Sequence, residues 1–292
     1  MTLTVAIVGL GVVGGSYAKA LKRQTTFDVT ILGIDQDKTT LNEALKDGVI
    51  SYGETHNQTI LQKADVVIIA LYPFSIVSFL NDHQHHFKKG AIVTDTVGVK
   101  GNLISQIKAV VPDTIDYISG HPMAGKENKG YAYASWQVFQ NANYLLTPTS
   151  DNKSDNIQFL TDLIKSLGFK RVTLVSPTIH DEMIAYTSQL PHAIAVALIN
   201  SDDPGRETVR FIGDSYRELT RISKINANLW SELFHTNKLE LLKAMEDFSQ
   251  QFDRLKTAIA EDNVEALTAA FTESSRRRQQ LEDEDLKSLH ES

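Results

Sequence analysis

Glycine and proline divide this chain of 292 residues into two kinds of sequence. Fourteen of its 16 glycines lie at or before Gly168, and all seven prolines lie at or before Pro204. From residue 214 to 292 neither occurs, so nothing there interrupts a helix. The first part is built to turn often, the last part to run straight.

Within the punctuated part, short aliphatic runs alternate with helix-length segments. Residues 3–8, 29–34, 65–71, 91–95, 115–119, 144–147 and 171–175 read as strands, and 13–24, 74–86 and 156–167 as helices between them. Strands that are apolar along their whole length, separated by helices, predict a mostly parallel sheet covered on both faces. The expectation is a doubly wound α/β domain over residues 1–175. Beyond it, Leu229, Leu233, Leu241, Leu242 and Met245, then Phe248, Phe252, Leu255 and Ile259, recur at helical spacings. That predicts an all-α domain over 176–278. So thin a set of helices makes a small core by itself, and packing of some of its apolar stripes against a second subunit is expected. Residues 279–292, with Glu282-Asp283-Glu284-Asp285, are expected to fray.

Composition narrows the function classes. No apolar run approaches the ~20 residues of a membrane span, and the first residues lack the pattern of a signal peptide. The absence of cysteine removes disulfides, thiolate nucleophiles and Cys-ligated zinc. A soluble cytoplasmic protein is expected. The net charge of −7 argues against nucleic acid as a partner, so an anionic ligand needs specific cations or N–H groups. His83, His85 and His86 cluster without a completing carboxylate, and no metal site is expected.

Gly9-Leu10-Gly11-Val12-Val13-Gly14 follows the first strand and opens the first helix. In that setting the first glycine permits the tight turn, the second lets backbone approach a pyrophosphate, and the third lets helix pack on strand. The second strand ends at Asp35, 21 residues after Gly14. A carboxylate there accepts hydrogen bonds from a ribose and repels a 2′-phosphate, which predicts NAD rather than NADP. The expected cofactor contacts are Gly9, Leu10, Gly11, Val12, Val13, Gly14 and Asp35, with Leu71 and Thr96 at later strand ends. The α/β domain is then of the Rossmann type.

The fifth strand runs into Gly120-His121-Pro122-Met123-Ala124-Gly125. His121 suits the removal of a hydroxyl proton as hydride leaves the same carbon. On spacing alone it reads equally as a histidine satisfying a buried turn. His180 precedes Ser188-Gln189-Leu190-Pro191-His192, where Ser188 and His192 share a helical face and Pro191 disturbs the turn before it. Arg210, Arg217 and Arg221 also share a face, and their plain reading is a row of surface ion pairs with Glu207 and Glu218. Trp230 and Asn237 follow.

Together these motifs resemble the prephenate dehydrogenase family of tyrosine biosynthesis, from the glycine turn to about residue 278. The most specific pieces are Gly120–Gly125, Ser188–His192 and Thr220-Arg221-Ile222, with Trp230 and Asn237 in step behind them. The resemblance implies NAD-dependent oxidative decarboxylation of prephenate to 4-hydroxyphenylpyruvate, with His121 accepting the C4 hydroxyl proton. It implies a substrate pocket of Gly98, His180, Gln189, His192, Arg221 and Trp230, with Arg221 clamping a carboxylate. It also implies a homodimer through the helical domain. Two positions depart from the family pattern: Gly98 stands where a serine is frequent, and Gln189 where a histidine is common.

Rival readings are an arogenate dehydrogenase, a two-domain reductase of the β-hydroxyacid or imine-reducing kind, and an NAD-sensing dimer without turnover. Arogenate carries an ammonium, for which Glu127 and Asp214 are the candidate partners. Lys126 and Arg217 are the alternatives to Arg221 as an anion anchor.

Overall fold

The computed structural model describes residues 2–57, 59–125 and 128–290, with side chains as far as residue 285. Lys126 and Glu127 lie outside the described residues. The chain forms two compact units, Met1–Lys238 and Leu239–Ser292. The first unit thus extends past residue 175 and takes in the helices as far as Thr236.

Six parallel strands form the main sheet: β1 Leu3–Val8, β2 Val29–Ile34, β3 Tyr52–Glu54, β4 Val66–Ile69, β5 Ile92–Asp95 and β6 Asp116–Tyr117, in the order β3-β2-β1-β4-β5-β6. Alternate residues of each central strand enter different apolar clusters. Val5, Ile7, Val66 and Ile68 pack on one side, and Ala6, Val8, Val67 and Ile69 on the other. Both faces are buried, which is why these strands carry no polar alternation. Each buried valine or isoleucine among them contributes roughly 1.5–3 kcal/mol.

The predicted fifth strand is two strands. After Tyr117 the chain leaves the main sheet, and β7 Ser119–Pro122 joins β8 Asn143–Thr147 and β9 Arg171–Leu174 in a second sheet. There β7 and β8 are antiparallel, with His121 opposite Leu145. His121 is therefore held by a strand ladder rather than a free turn. Gly120 is needed beside it, because a Cβ there would lie 2.3 Å from the Tyr144 hydroxyl oxygen. The short edge strand β3 was also not foreseen.

The sheet order reverses between β1 and β4, and the turns after β1, β4 and β5 open on one side of it. That is where ligands of open α/β sheets bind. Facing this edge are helices Pro177–Ile184 and Leu190–Asn200, joined by a wider π-helical turn at Ala185–Gln189. Pro191 has no N–H for the Thr187 carbonyl, and the chain accommodates the loss by widening. Helix Ala227–Thr236 completes this wall.

The second unit holds helix Lys238–Ala260, less its first residue, and helix Val264–His290. Phe252, Ile259, Phe271 and Leu281 are exposed on them. The segment expected to fray continues the last helix to His290. It lacks helix breakers, and Arg278 pairs with Glu282 one turn on at 3.0 Å. No helix among the described residues is long and apolar enough to cross a membrane.

Candidate active site

A cavity of about 660 Å³ opens over the sheet reversal, lined entirely by residues of the first unit. Gly11, Val12, Val13, Leu71 and Thr96 of the expected cofactor set line it. The other members of that set shape it from behind. A Cβ on Gly14 would sit 1.8 Å from the Gly9 carbonyl oxygen, so only glycine lets the helix start this close to β1. Gly9 has φ +83°, a conformation that favours glycine. Gly11 has open space where a side chain would stand. Leu10, expected as a cofactor contact, has its side chain fully buried in the core, and its N–H donates to Asp35 Oδ2 at 2.6 Å. Asp35 Oδ1 accepts from the Asp37 N–H at 2.9 Å, so the carboxylate is fixed beside the glycine turn rather than in the cavity lining. The donor set fits a dinucleotide: an open glycine at a helix start and a carboxylate at the end of β2.

At the other end of the cavity, His121 meets Gly98, whose Cβ position lies 3.2 Å from His121 Nε2. Its other ring nitrogen, Nδ1, lies 2.9 Å from His180 Nε2. His180 Nδ1 is 2.7 Å from Asp181 Oδ1. Asp181 accepts backbone N–H bonds from Lys100 at 2.8 Å and Gly101 at 2.7 Å, at the start of helix Gly101–Lys108. Burial pushes His121 well below the ordinary histidine range, and the neighbouring His180 and Lys100 add to the effect. Burial also lowers His180, opposed by its bond to Asp181. Both directions favour the neutral rings near pH 7.

Behind this pair lies a buried ion pair that sequence reasoning missed. Lys100 and Asp95 are both fully buried, Nζ to Oδ1 2.7 Å. The other two ammonium protons reach the carbonyls of Val97 and Gly120, each at 2.7 Å. Asp95 also accepts from the Val97 N–H and from the hydroxyls of Tyr117 and Ser119. Burial holds Lys100 below the usual lysine range while Asp95 opposes the shift. One ammonium thus ties the turn after β5 to the residue before His121. The five-residue spacing across that turn was its only trace in the sequence.

Of the expected substrate residues, Gly98, Gln189, His192, Arg221 and Trp230 line the cavity, and His180 does not. His180 is 1% exposed and stands behind His121. Gln189 lines the wall but is committed to it: its amide donates to the Leu233 carbonyl at 3.2 Å and accepts from Asn237 at 2.9 Å. His192 stacks on Trp230, ring centroids 3.7 Å apart, with its Nδ1 2.8 Å from the Ser188 carbonyl oxygen. Two further cations, Lys129 and Lys224, line the cavity and were not anticipated. Arg210 and Arg217 pair instead with Glu207 and Asp214 and take no part in the lining. Among the described residues, the lining contains three cations and no carboxylate.

Comparison with known proteins finds relatives over most of the chain. The nucleotide-binding domain of prephenate dehydrogenase matches residues 17–173, and the dimerization domain of prephenate dehydrogenase matches 176–273. A prephenate dehydrogenase of Lactococcus lactis subsp. cremoris is 30% identical, over 95% of this chain and 77% of its own. A cyclohexadienyl dehydrogenase of Zymomonas mobilis is 29% identical, over 94% of each chain. The crystal structure of prephenate dehydrogenase from A. aeolicus with hydroxyphenyl propionate and NAD+ superimposes with a TM-score of 0.87. It is 28% identical and covers 96% of this chain and 98% of its own.

Proposed function

Since the chain belongs to the prephenate dehydrogenase family, we propose that it oxidises prephenate with NAD+, releasing CO2 and 4-hydroxyphenylpyruvate. The observation that carries this is that one cavity is lined by the glycine turn, by His121 and by three cations. When bound, the nicotinamide supplies the acceptor for the hydride of the hydroxyl-bearing carbon. Gly11, Val12 and Val13 would hold its pyrophosphate, with Asp35 toward the ribose and Leu71 and Thr96 toward the nicotinamide.

His121 takes the hydroxyl proton: the O–H bond breaks and an Nε2–H bond forms. As the ring carboxylate leaves as CO2, its bonding pair enters the ring, and the proton returns from His121 to the oxygen. No net proton is consumed. Arg221 pairs with a substrate carboxylate through its planar fork, with Lys224 and Lys129 beside it. The Trp230–His192 stack walls the ring face.

A lining with three cations and no carboxylate among the described residues supports a dianion bearing a keto side chain over arogenate, whose ammonium would meet no counter-charge among those residues. The dimer belongs to the same proposal, built through the helical domain.

The test is NADH formation with prephenate and arogenate in parallel, with NAD+ and NADP+ compared for each. Turnover of prephenate with NAD+ supports the reading. Preference for arogenate moves the substrate assignment but not the fold or the role of His121. Silence with both, in protein that binds NAD+, favours a sensor. Sedimentation at micromolar concentration reads the dimer.

A further inference from the structure

Three bonds in series leave little freedom for the proton on His121. Asp181 accepts two backbone N–H bonds at a helix start, one on each carboxylate oxygen, and stands as the acceptor at the end of the series. The proton between Asp181 and His180 is therefore on His180 Nδ1. A neutral His180 then has only a lone pair at Nε2, so the 2.9 Å contact requires the donor to be His121 Nδ1–H. Nε2 of a neutral His121 is left bare, beside Gly98 at the cavity. Lys100 does not compete for it, because its three protons go to Asp95, Val97 and Gly120.

We propose that His180 and Asp181 are positioning residues whose hydrogen-bonded chain fixes the His121 proton on Nδ1 and presents Nε2 to the substrate hydroxyl. This rests on the reading of His121 as the proton acceptor and assigns His180 a task other than substrate contact. The isolated imidazole ring has no such constraint, and a proton on Nε2 would leave nothing to receive the hydroxyl proton. When Nε2 is protonated, the charge gained by His121 is balanced through His180 by Asp181, and neither ring has to turn.

Full-length protein labelled with 15N at histidine reports the ring tautomers directly at neutral pH, without substrate or cofactor. The wild type is expected to show His121 protonated at Nδ1 and unprotonated at Nε2. His180→Leu removes the acceptor. Nε2–H is then expected to appear on His121, and kcat to fall roughly 10²- to 10⁴-fold with the substrate KM and the NAD+ Kd held. His180→Gln restores an acceptor oxygen and is expected to recover at least about tenfold of that loss, together with the Nδ1–H signal. An Nε2–H tautomer in the wild type overturns the proposal, as does a folded His180→Leu variant within about threefold of wild-type kcat. If His180→Leu does not fold, the wild-type and His180→Gln spectra decide. A wild type without turnover on either cyclohexadiene would sink the dehydrogenase reading alone, because the tautomer signal is read without turnover.

Discussion

Behind His121 the polar groups are buried and mutually saturated, whereas across the cavity Arg221, Lys224 and Lys129 stand exposed. The first wall joins β5, β7 and two helices through Asp95, Lys100, His180 and Asp181. The second carries its charges on long side chains at the surface. Rigid and buried polar groups fix where a proton goes, because a misplaced donor inside the protein is costly. Exposed cations recognise a charge with less demand on geometry. The two walls should therefore separate in kinetics, one governing turnover and the other affinity.

The largest effect expected on that view is from His121→Asn, which should lower kcat roughly 10²- to 10⁴-fold with little change in KM. A variant with wild-type turnover would remove His121 from the chemistry and end the contrast. Next comes Lys100→Met, which leaves Asp95 buried without its cation. A loss of about 3–5 kcal/mol is expected in urea unfolding, as for other broken buried pairs. An unchanged midpoint would mean that water already serves Asp95. Arg221→Ala should raise the substrate KM roughly 10- to 100-fold with kcat nearly held, as for one lost charge-assisted bond. If kcat drops instead, the exposed wall acts in the transition state and the division fails.

Acid should sharpen the contrast. His121 and His180 both bind protons less readily folded than unfolded, where histidine titrates near 6.5. Below that value the unfolded chain holds more protons, so stability is full above about pH 6.5 and declines as pH falls toward the lower folded-state values. Thermal melts from pH 8 to 5 read this, and a flat profile would contradict the burial of the pair. The smallest effect is expected from Asp35→Ser, which should weaken NAD+ binding and relax discrimination against NADP+ several-fold. An unchanged cofactor ratio would leave Asp35 only its bond to Leu10.

Much of this was legible in local sequence. The glycine turn, the doubly wound sheet and the position of His121 near a strand end depend on neighbours within a few residues, and periodicity records them. The change of sheet after Tyr117 depends on β8, whose residues pair with β7 from more than twenty positions away. Asp181 reaches Lys100 across 81 residues, and Asn237 reaches Gln189 across 48. No repeat or spacing encodes such contacts. That is why His180 was read as a substrate residue: its motif was visible, but not which side of the wall it faced. The helical segment expected to fray shows a different gap, since its acidic run concealed the bond between Arg278 and Glu282.

The π-helical turn at Ala185–Gln189 sets the phase of everything that follows it on that helix. Each residue of an α-helix turns its successor by about 100°, so one residue more or less rotates the downstream face by that amount. Deleting a single residue within the turn would remove the widening but leave Pro191 inside a tighter helix, its ring against a carbonyl it cannot bond. It would also carry His192 away from Trp230 and Gln189 away from Asn237. The widened turn is thus the register mark that aims the following helix at the cavity, and removing it would misdirect that helix.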